Sequence, residues 1–213
     1  GYISSFTFLI LAIISPLLSG IADHTGYKKL FMKFFCYLGA ISCMLLYSFD
    51  LDNFDLGIIY YFFAVVGFWG SLVFYNSYLP EIAFPHQQDR ISALGYSYGY
   101  VGSVLLLLIN LMMVLFPSTF GFQDTIEPMK ISFVMVGLWW AGFSQYTFYY
   151  LPKNQIQFQK KDFLKKSILF GGFYQLKNVW KLVKKQESIK KFLIAFFVFS
   201  CALQTIILIA TYF

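Results

Sequence analysis

Residues 104–116 read VLLLLINLMMVLF, a run without a charged side chain and without alternation between polar and apolar positions. The uncharged stretch around it extends over residues 91–117, more than the ~20 apolar residues that a helix needs to cross a bilayer. A barrel strand would instead need about 10 residues of alternating polarity. Because a single segment in lipid satisfies its backbone only as a helix, the stretch predicts a membrane-spanning helix.

Five other windows have the same character. They contain no charge except Lys33, which lies near the start of its window, where its amine can reach the headgroups. The six windows together are residues 1–22, 30–49, 56–80, 91–117, 131–152 and 192–213. We therefore expect an all-α polytopic membrane protein with six transmembrane helices.

The composition agrees with this assignment. Hydrophobic residues make up 59% of the chain and charged residues 12%, whereas soluble domains carry about 25% charged residues, and the mean hydropathy is +0.66. These values exclude both a soluble domain and a disordered chain. The chain starts at Gly1 without the basic region of a signal peptide and ends at Phe213 inside an apolar run, so we expect a piece of a longer polypeptide.

The net charge of +6 is distributed very unevenly. Fifteen of the 16 basic residues fall on alternate connections, eleven of them in residues 153–191, and Lys130 alone falls on the other side. We call the first side the basic side. By the positive-inside rule it is cytoplasmic, and in a prokaryote the membrane would be the cytoplasmic membrane. Charge placed in this way favours a membrane topology and excludes a nucleic-acid partner.

Residues 153–191 are too long for a simple loop. Apolar residues recur there at helical spacing with lysines on the other faces, and Gly171 and Gly172 interrupt the pattern. We expect two amphipathic helices on the inner membrane surface, which either serve packing and topology or bind an anionic lipid or a partner. The expected domains are residues 1–152, a basic linker at 153–191 and a first helix of a second half at 192–213.

No constellation for catalysis or metal binding occurs. Cys36, Cys43 and Cys201 lie in apolar runs without disulfide or metal spacing. His-Glu-x-x-His and the phosphate-binding Gly-x-x-x-x-Gly-Lys-Ser/Thr are both missing from the sequence. We therefore expect no enzyme, no catalytic residue, no cofactor, no metal and no ATP-driven transport within this chain.

Residues 15–29, SPLLSGIADHTGYKK, place a carboxylate at the end of a span, where it needs a partner. The run resembles the signature loop between the second and third helices of the major facilitator superfamily. The matching residues are Asp23, Gly26 and Lys28. Three residues depart from the pattern, namely Ser19, His24 and Tyr27. Because of the departures, the resemblance implies only part of that motif's charge relay.

Residues 74–103 resemble the vacuolar amino-acid effluxer family, the autophagy-related branch of that superfamily, and its bacterial relatives. The matching residues are Asn76, Leu79, Pro80, Glu81, Ile82, Ala83, Asp89, Arg90, Ser92, Gly95, Gly99 and Gly102. The order of loops agrees over the whole chain. The resemblance therefore implies helices two to seven of a twelve-helix transporter, without the first helix and the last five.

Charges near the ends of the spans are the candidates for a gate. They lie on the basic side and could form ion pairs that break when that side opens, although a solvated loop would look the same. The candidates are Asp23, Gly26, Lys28, Glu81, Asp89 and Arg90. Gly95, Gly99 and Gly102 recur at i, i+4 and i+7, which predicts a face for close helix packing, either a sliding surface or a static crossing.

Polar or aromatic residues deep in the spans are the candidates for substrate binding, because such residues are costly in lipid. They are Asn110, Trp139, Gln145 and Gln204, each of which could equally serve contacts between helices or, for the tryptophan, anchor at the interface. No acid lies deep in a span, so a coupling carboxylate would be at a boundary, as Asp23 and Glu81 are, or outside the chain.

The function that these features favour is secondary active transport of a small solute by alternating access, with the bilayer and the solute as partners and a proton or sodium ion as the coupling ion. The resemblance implies efflux of an amino acid. Two alternatives stay open: a cation-coupled sugar transporter, and a membrane scaffold that transports nothing.

Overall fold

The computed structural model describes residues 2–25, 27–50, 53–152 and 171–210, and throughout these ranges the regular structure is helical. The all-α prediction is confirmed. The helices, numbered along the chain, are α1 (Tyr2–Thr25), α2 (Lys28–Leu45), α3 (Phe54–Ser77), the one-turn α4 (Leu79–Ile82), α5 (Gln88–Leu115), α6 (Ile126–Tyr150), α7 (Gly171–Lys185) and α8 (Glu187–Ala210).

Prolines and a capping carboxylate set several of these boundaries. Pro80 lies in the first turn of α4 and Pro85 begins a short 3-10 turn before α5, positions where a missing N–H costs little. Asp124 Oδ1 accepts hydrogen bonds of 3.0 Å from the backbone N–H groups of Ile126 and Glu127 at the start of α6. These residues therefore allow the chain to reverse direction sharply between long helices.

Three helical stretches are long and apolar enough to cross a membrane among the residues that the structure describes. They are Lys28–Ser48, Phe54–Ile82 and Pro85–Leu115, and they correspond to the second, third and fourth predicted windows. Within α1 the apolar part is shorter, Ser5–Ser19. The prediction of six spans is thus supported for three, and the first, fifth and sixth stay predictions.

α2 lies at the centre of the bundle and contacts both α3 and α6, while α1 contacts α3 and α7, and α8 contacts α7. Residues from α2, α3 and α6, together with Tyr78 just after α3, form the buried core on the basic side. Its members are Met32, Phe35, Cys36, Phe74, Tyr78 and Phe148. Aromatic stacking supports it, with the Phe35 and Phe74 ring centroids 5.9 Å apart.

Glycines bring α2 close to its two neighbours. A Cβ at Gly67 of α3 would meet the backbone of Gly39 in α2 and would lie 2.7 Å from the carbonyl oxygen of Phe35. A Cβ at Gly137 of α6 would lie 2.6 Å from the carbonyl oxygen of Ala40. Backbone therefore packs against backbone at both interfaces, which is the usual way that helices associate in lipid.

α5 is attached more loosely. Its main helix contact is with α6, and much of its apolar surface is open, with Leu107 63% and Leu115 60% exposed. In a membrane such a surface faces lipid or further helices. The four helices α2, α3, α5 and α6 consequently do not close completely on one another.

We expect the change Gly67→Ala to destabilise the protein by about 1–3 kcal/mol, because the added methyl group has no room against α2. Gly142→Ala is the matched control, since a Cβ at Gly142 meets nothing within 4 Å among the described residues. Thermal unfolding of the detergent-purified full-length protein measures both changes. Equal melting temperatures for the two variants would contradict the close contact between α2 and α3.

Candidate functional site

A cavity of about 660 Å³ lies where α5 stands away from α2, α3 and α6. Its size is within the range of small-molecule sites. Aromatic side chains form much of the wall, and they are Phe68, Tyr75, Trp139, Trp140, Phe143 and Phe148. No Asp, Glu, Lys, Arg or His is among the described residues that line it. The wall is therefore apolar and aromatic, and it carries no formal charge.

A few polar groups interrupt this wall. Beside the Tyr75 hydroxyl and the Trp139 indole, they are Ser71, Ser103, Asn110, Ser144 and Thr147. Three of the hydroxyls are already used within their own helices: those of Ser71, Ser103 and Ser144 donate to the carbonyls of Phe68, Tyr100 and Ala141. The hydrogen-bonding capacity that remains for a ligand is therefore small and sits on few atoms.

Asn110 provides the clearest of these atoms. Its Oδ1 is buried and has no hydrogen-bond partner among the residues that the structure describes. An unpaired buried polar atom costs about 1–3 kcal/mol, and other atoms of Asn110 line the cavity beside it. Trp139, whose ring centroid lies 4.6 Å from that of Phe143, lines the same cavity. The structure thus brings together two of the predicted substrate-binding residues.

The other two predicted substrate-binding residues are placed differently. Gln145 does not line the cavity: its Oε1 accepts a 2.9 Å hydrogen bond from the Tyr37 hydroxyl, and its Nε2 donates to the carbonyl of Ala141 at 2.7 Å. In the described structure Gln145 connects α2 to α6, which is the alternative that the sequence left open. The side chain of Gln204 lies outside the described residues.

Sequence reasoning missed several lining residues. Ser71 and Tyr75 stand at i and i+4 on α3, and Ser144, Thr147 and Phe148 share one face of α6. Their spacing alone could have grouped them by face. It could not have said which faces look toward the same space.

The stripe Gly95, Gly99 and Gly102 on α5 differs from its prediction. A Cβ at Gly99 would meet nothing within 4 Å among the described residues, and one at Gly102 would come no closer than 3.9 Å to the Trp139 indole nitrogen. Only Gly95 is near a neighbour, with a Cβ position 3.1 Å from the Tyr75 hydroxyl. The stripe borders the cavity because α5 stands off there, and among the described residues no helix makes the predicted close crossing with it.

An ion pair connects two of the predicted gate residues on the basic side. Lys28 Nζ, at the start of α2, lies 2.8 Å from Glu81 Oε1 in α4. The two side chains are 18% and 39% exposed, so water reaches the pair only in part. The neighbouring Lys29 donates a 2.7 Å hydrogen bond to the carbonyl of Leu151, just after α6. The start of α2 is therefore joined to both the α3–α5 connection and the end of α6.

The remaining predicted gate residues do not join this pair in the described structure. Asp89 and Arg90 are exposed at the start of α5 and form no ion pair within the described ranges. Asp23 belongs to α1, but its side chain lies outside the described residues, as does Gly26 altogether.

A second ion pair lies on the opposite side of the bundle and was not predicted. Lys130 Nζ, in the first turns of α6, is 3.3 Å from Asp50 Oδ2, which follows α2. The sequence contained the signal, because Lys130 is the single basic residue on that side and the loop of Asp50 is acidic. The arrangement joins α2 to α6 at that end.

Comparison with known proteins gives consistent results. The MFS-type transporter YxiO of Bacillus subtilis, itself uncharacterized, is 27% identical over 99% of this chain. Autophagy-related protein 22-1 of Phaeosphaeria nodorum is 22% identical over 96% of the chain, and autophagy-related protein 22 of Pichia angusta is 26% identical over 78%. No solved structure matches the chain.

The chain spans 48%, 44% and 32% of the lengths of these three relatives, so it corresponds to half or less of such a protein. The Bacillus subtilis relative is named as an MFS-type transporter, which agrees with the long apolar helices described above. The sequence profile of the family described as "Vacuole effluxer Atg22 like" matches residues 1–213. The chain therefore belongs to the vacuole effluxer Atg22-like family of major facilitator transporters.

Proposed function

We propose that the protein containing this chain is a secondary active transporter, and that the cavity between α2, α3, α5 and α6 is this half's share of the substrate path. The observation that carries the proposal is the 660 Å³ cavity lined by Asn110, whose Oδ1 is buried and has no hydrogen-bond partner among the described residues. A static scaffold gains nothing from such a void, because empty volume and unpaired polar atoms both lower stability.

Alternating access would then expose the cavity first to one side of the membrane and afterwards to the other. The two ion pairs stand at opposite ends of the bundle, Lys28–Glu81 on the basic side and Lys130–Asp50 on the other. In this proposal the basic side is cytoplasmic, and the Lys28–Glu81 pair keeps the α3–α5 connection folded over the cytoplasmic end while that end is closed.

Efflux is the proposed direction, because the family is described as effluxers. An amino acid is the proposed cargo, as the resemblance of residues 74–103 implies. The uncharged wall constrains how such a cargo would sit: its side chain would lie against the aromatic residues here, and its ammonium and carboxylate would need partners outside this cavity wall. A sugar is the alternative that the wall also suits, since rings stack on tryptophan and hydroxyls bond to amides.

No carboxylate lines the cavity among the described residues. Coupling to a proton or a sodium ion would therefore use a carboxylate at the boundary, such as Glu81, or one in the part of the transporter that this chain does not cover. The proposal places the coupling step away from Asn110.

Counterflow in proteoliposomes tests the transport activity and its cargo. The full-length protein is loaded with unlabelled amino acids or sugars in turn, and uptake of the labelled solute is followed with and without a pH or sodium gradient. We expect saturable exchange of one solute class. Asn110→Leu should raise the half-saturating concentration about three- to tenfold, since one hydrogen bond is worth about 0.5–1.5 kcal/mol.

The control for this variant is Leu108→Ala on the same helix, which does not line the cavity and should leave exchange unchanged. Exchange of sugars but not of amino acids would contradict the proposed amino-acid cargo. If Asn110→Leu does not alter the exchange, the cavity does not belong to the substrate path, even if transport itself is confirmed.

Accessibility to water separates a transporter from a scaffold independently of the cargo. In a background with Cys36, Cys43 and Cys201 replaced by alanine, we expect Asn110→Cys to react with a small membrane-impermeant thiol reagent, because only a hydrated thiol ionises and reacts. Leu108→Cys, on the open apolar surface of α5 away from the cavity, should stay unlabelled. Equal, negligible labelling of both cysteines would favour the scaffold.

The proposed gating role of the Lys28–Glu81 pair leads to a further prediction. Glu81→Gln removes one carboxylate that pairs with Lys28, and we expect the basic side to open more readily. Labelling of the Asn110→Cys thiol from that side should rise about two- to fivefold, as suits a partly exposed ion pair. Glu187→Gln is the matched control, because Glu187 pairs with Lys191 at 3.7 Å on an open surface. A rise of the same size in the control would refute a specific role for Glu81.

A further inference from the structure

α7 (Gly171–Lys185) takes no part in the cavity or in the ion pairs at the ends of the bundle. It contains four lysines and no acidic residue. These lysines are Lys177, Lys181, Lys184 and Lys185, and all four are exposed. Because like charges repel, four positive charges on a 15-residue helix raise the free energy of the folded helix unless an opposite charge lies nearby.

The charges occupy one face of α7. At about 100° per residue, the four lysines fall within about 100° of arc, and Leu176, Val179, Trp180 and Val183 fall within another arc of about the same width. The apolar face is also open: Leu176 is 49%, Val179 54% and Trp180 57% exposed. A basic face beside an open apolar face is the pattern of a helix that lies in the plane of a membrane interface.

The position of α7 in the chain agrees with this pattern. Gln186 alone separates it from α8, and the joint is tight: the Gln186 N–H donates to the Val183 carbonyl at 3.0 Å, and the Lys190 N–H donates to the Gln186 carbonyl at 3.1 Å. Since α8 is a predicted span, its first residues lie at the membrane surface. The end of α7 is therefore held at the depth of the lipid headgroups.

Interactions within the helix compensate the charge of only some of these lysines. Lys184 and Lys185 lie in the last turn, where cations interact favourably with the helix dipole, but Lys177 and Lys181 lie too far from the end for this. Within the described ranges no carboxylate pairs with a lysine of α7, and Lys184 instead lies 5.9 Å from the Trp180 ring centroid. The anionic partner has to come from outside this set of residues.

We propose that α7 is a binding site for anionic phospholipids of the basic-side leaflet. The lysine ammonium groups contact the phosphates, and Leu176, Val179 and Trp180 insert among the upper acyl-chain carbons. Charge complementarity decides in favour of a lipid headgroup, because the cytoplasmic leaflet supplies a dense array of phosphates at the depth where α7 is tethered. The proposal does not depend on the cargo or on the cavity.

Quenching of Trp180 by brominated lipid tests the site. The full-length protein is reconstituted in vesicles of one fixed mixture of phosphatidylcholine and phosphatidylglycerol, with the bromines on the acyl chains of only one of the two lipids. The signal of Trp180 is the difference between the wild type and Trp180→Phe. We expect quenching per mole of lipid to be at least about twofold greater with brominated phosphatidylglycerol.

Two variants with four substitutions each distinguish the effect of the lysine charges from the effect of disturbing the helix. Changing Lys177, Lys181, Lys184 and Lys185 to glutamine should bring the two lipids to parity, and changing the same four to arginine should keep the preference, because arginine keeps both charge and helix propensity. Equal quenching by both lipids in the wild type, or a preference that the glutamine variant retains, overturns the proposal. No quenching by either lipid also overturns it, since α7 would then be covered by protein.

Discussion

The close contact of α2 with α3 and α6 is the interaction on which the rest of this structure depends. In lipid there is no hydrophobic force to bring helices together, so association rests on packing and on hydrogen bonds between helices. Gly67 and Gly137 provide the packing, because each lacks a side chain at a point where two backbones meet, and Gly39 leaves room for the Trp140 ring of α6. The Tyr37–Gln145 hydrogen bond adds a polar contact between α2 and α6. Together they define one rigid unit of three helices.

The cavity follows from where such contacts are missing. α5 has its own glycines, but Gly99 faces open space, and bulky aromatic residues of α6 occupy the region across from it. Trp139 and Phe143 therefore separate α5 from the rigid unit instead of letting it close. A transporter needs one element that moves at small cost, and α5, whose main helix contact in the described structure is with α6, has few close contacts to break.

The sequence specified the helical class and the central spans because hydrophobic runs depend only on residues near in the chain. The glycine contacts could not be found in this way: Gly39, Gly67 and Gly137 belong to three helices, and none forms a regular repeat within its own helix. The stripe from Gly95 to Gly102 had the better local pattern, but no neighbouring backbone lies close to it among the described residues. Spacing shows which residues share a face, and only the tertiary arrangement shows what that face meets. For the same reason Asn110 and Trp139 could be named from the sequence, while their separation from Gln145 could not.

The Lys28–Glu81 pair has a consequence for how a gate can work. Both residues belong to the same half of the transporter, so a rigid rotation of one half against the other would leave the pair intact. Glu81 lies on the connection that leads into α5, and Lys28 lies on the rigid unit. The pair therefore reports on movement of α5 relative to α2 and not on movement between halves. If the pair breaks during transport, the conformational change includes a displacement inside this half, and the loosely packed α5 is the helix that allows it.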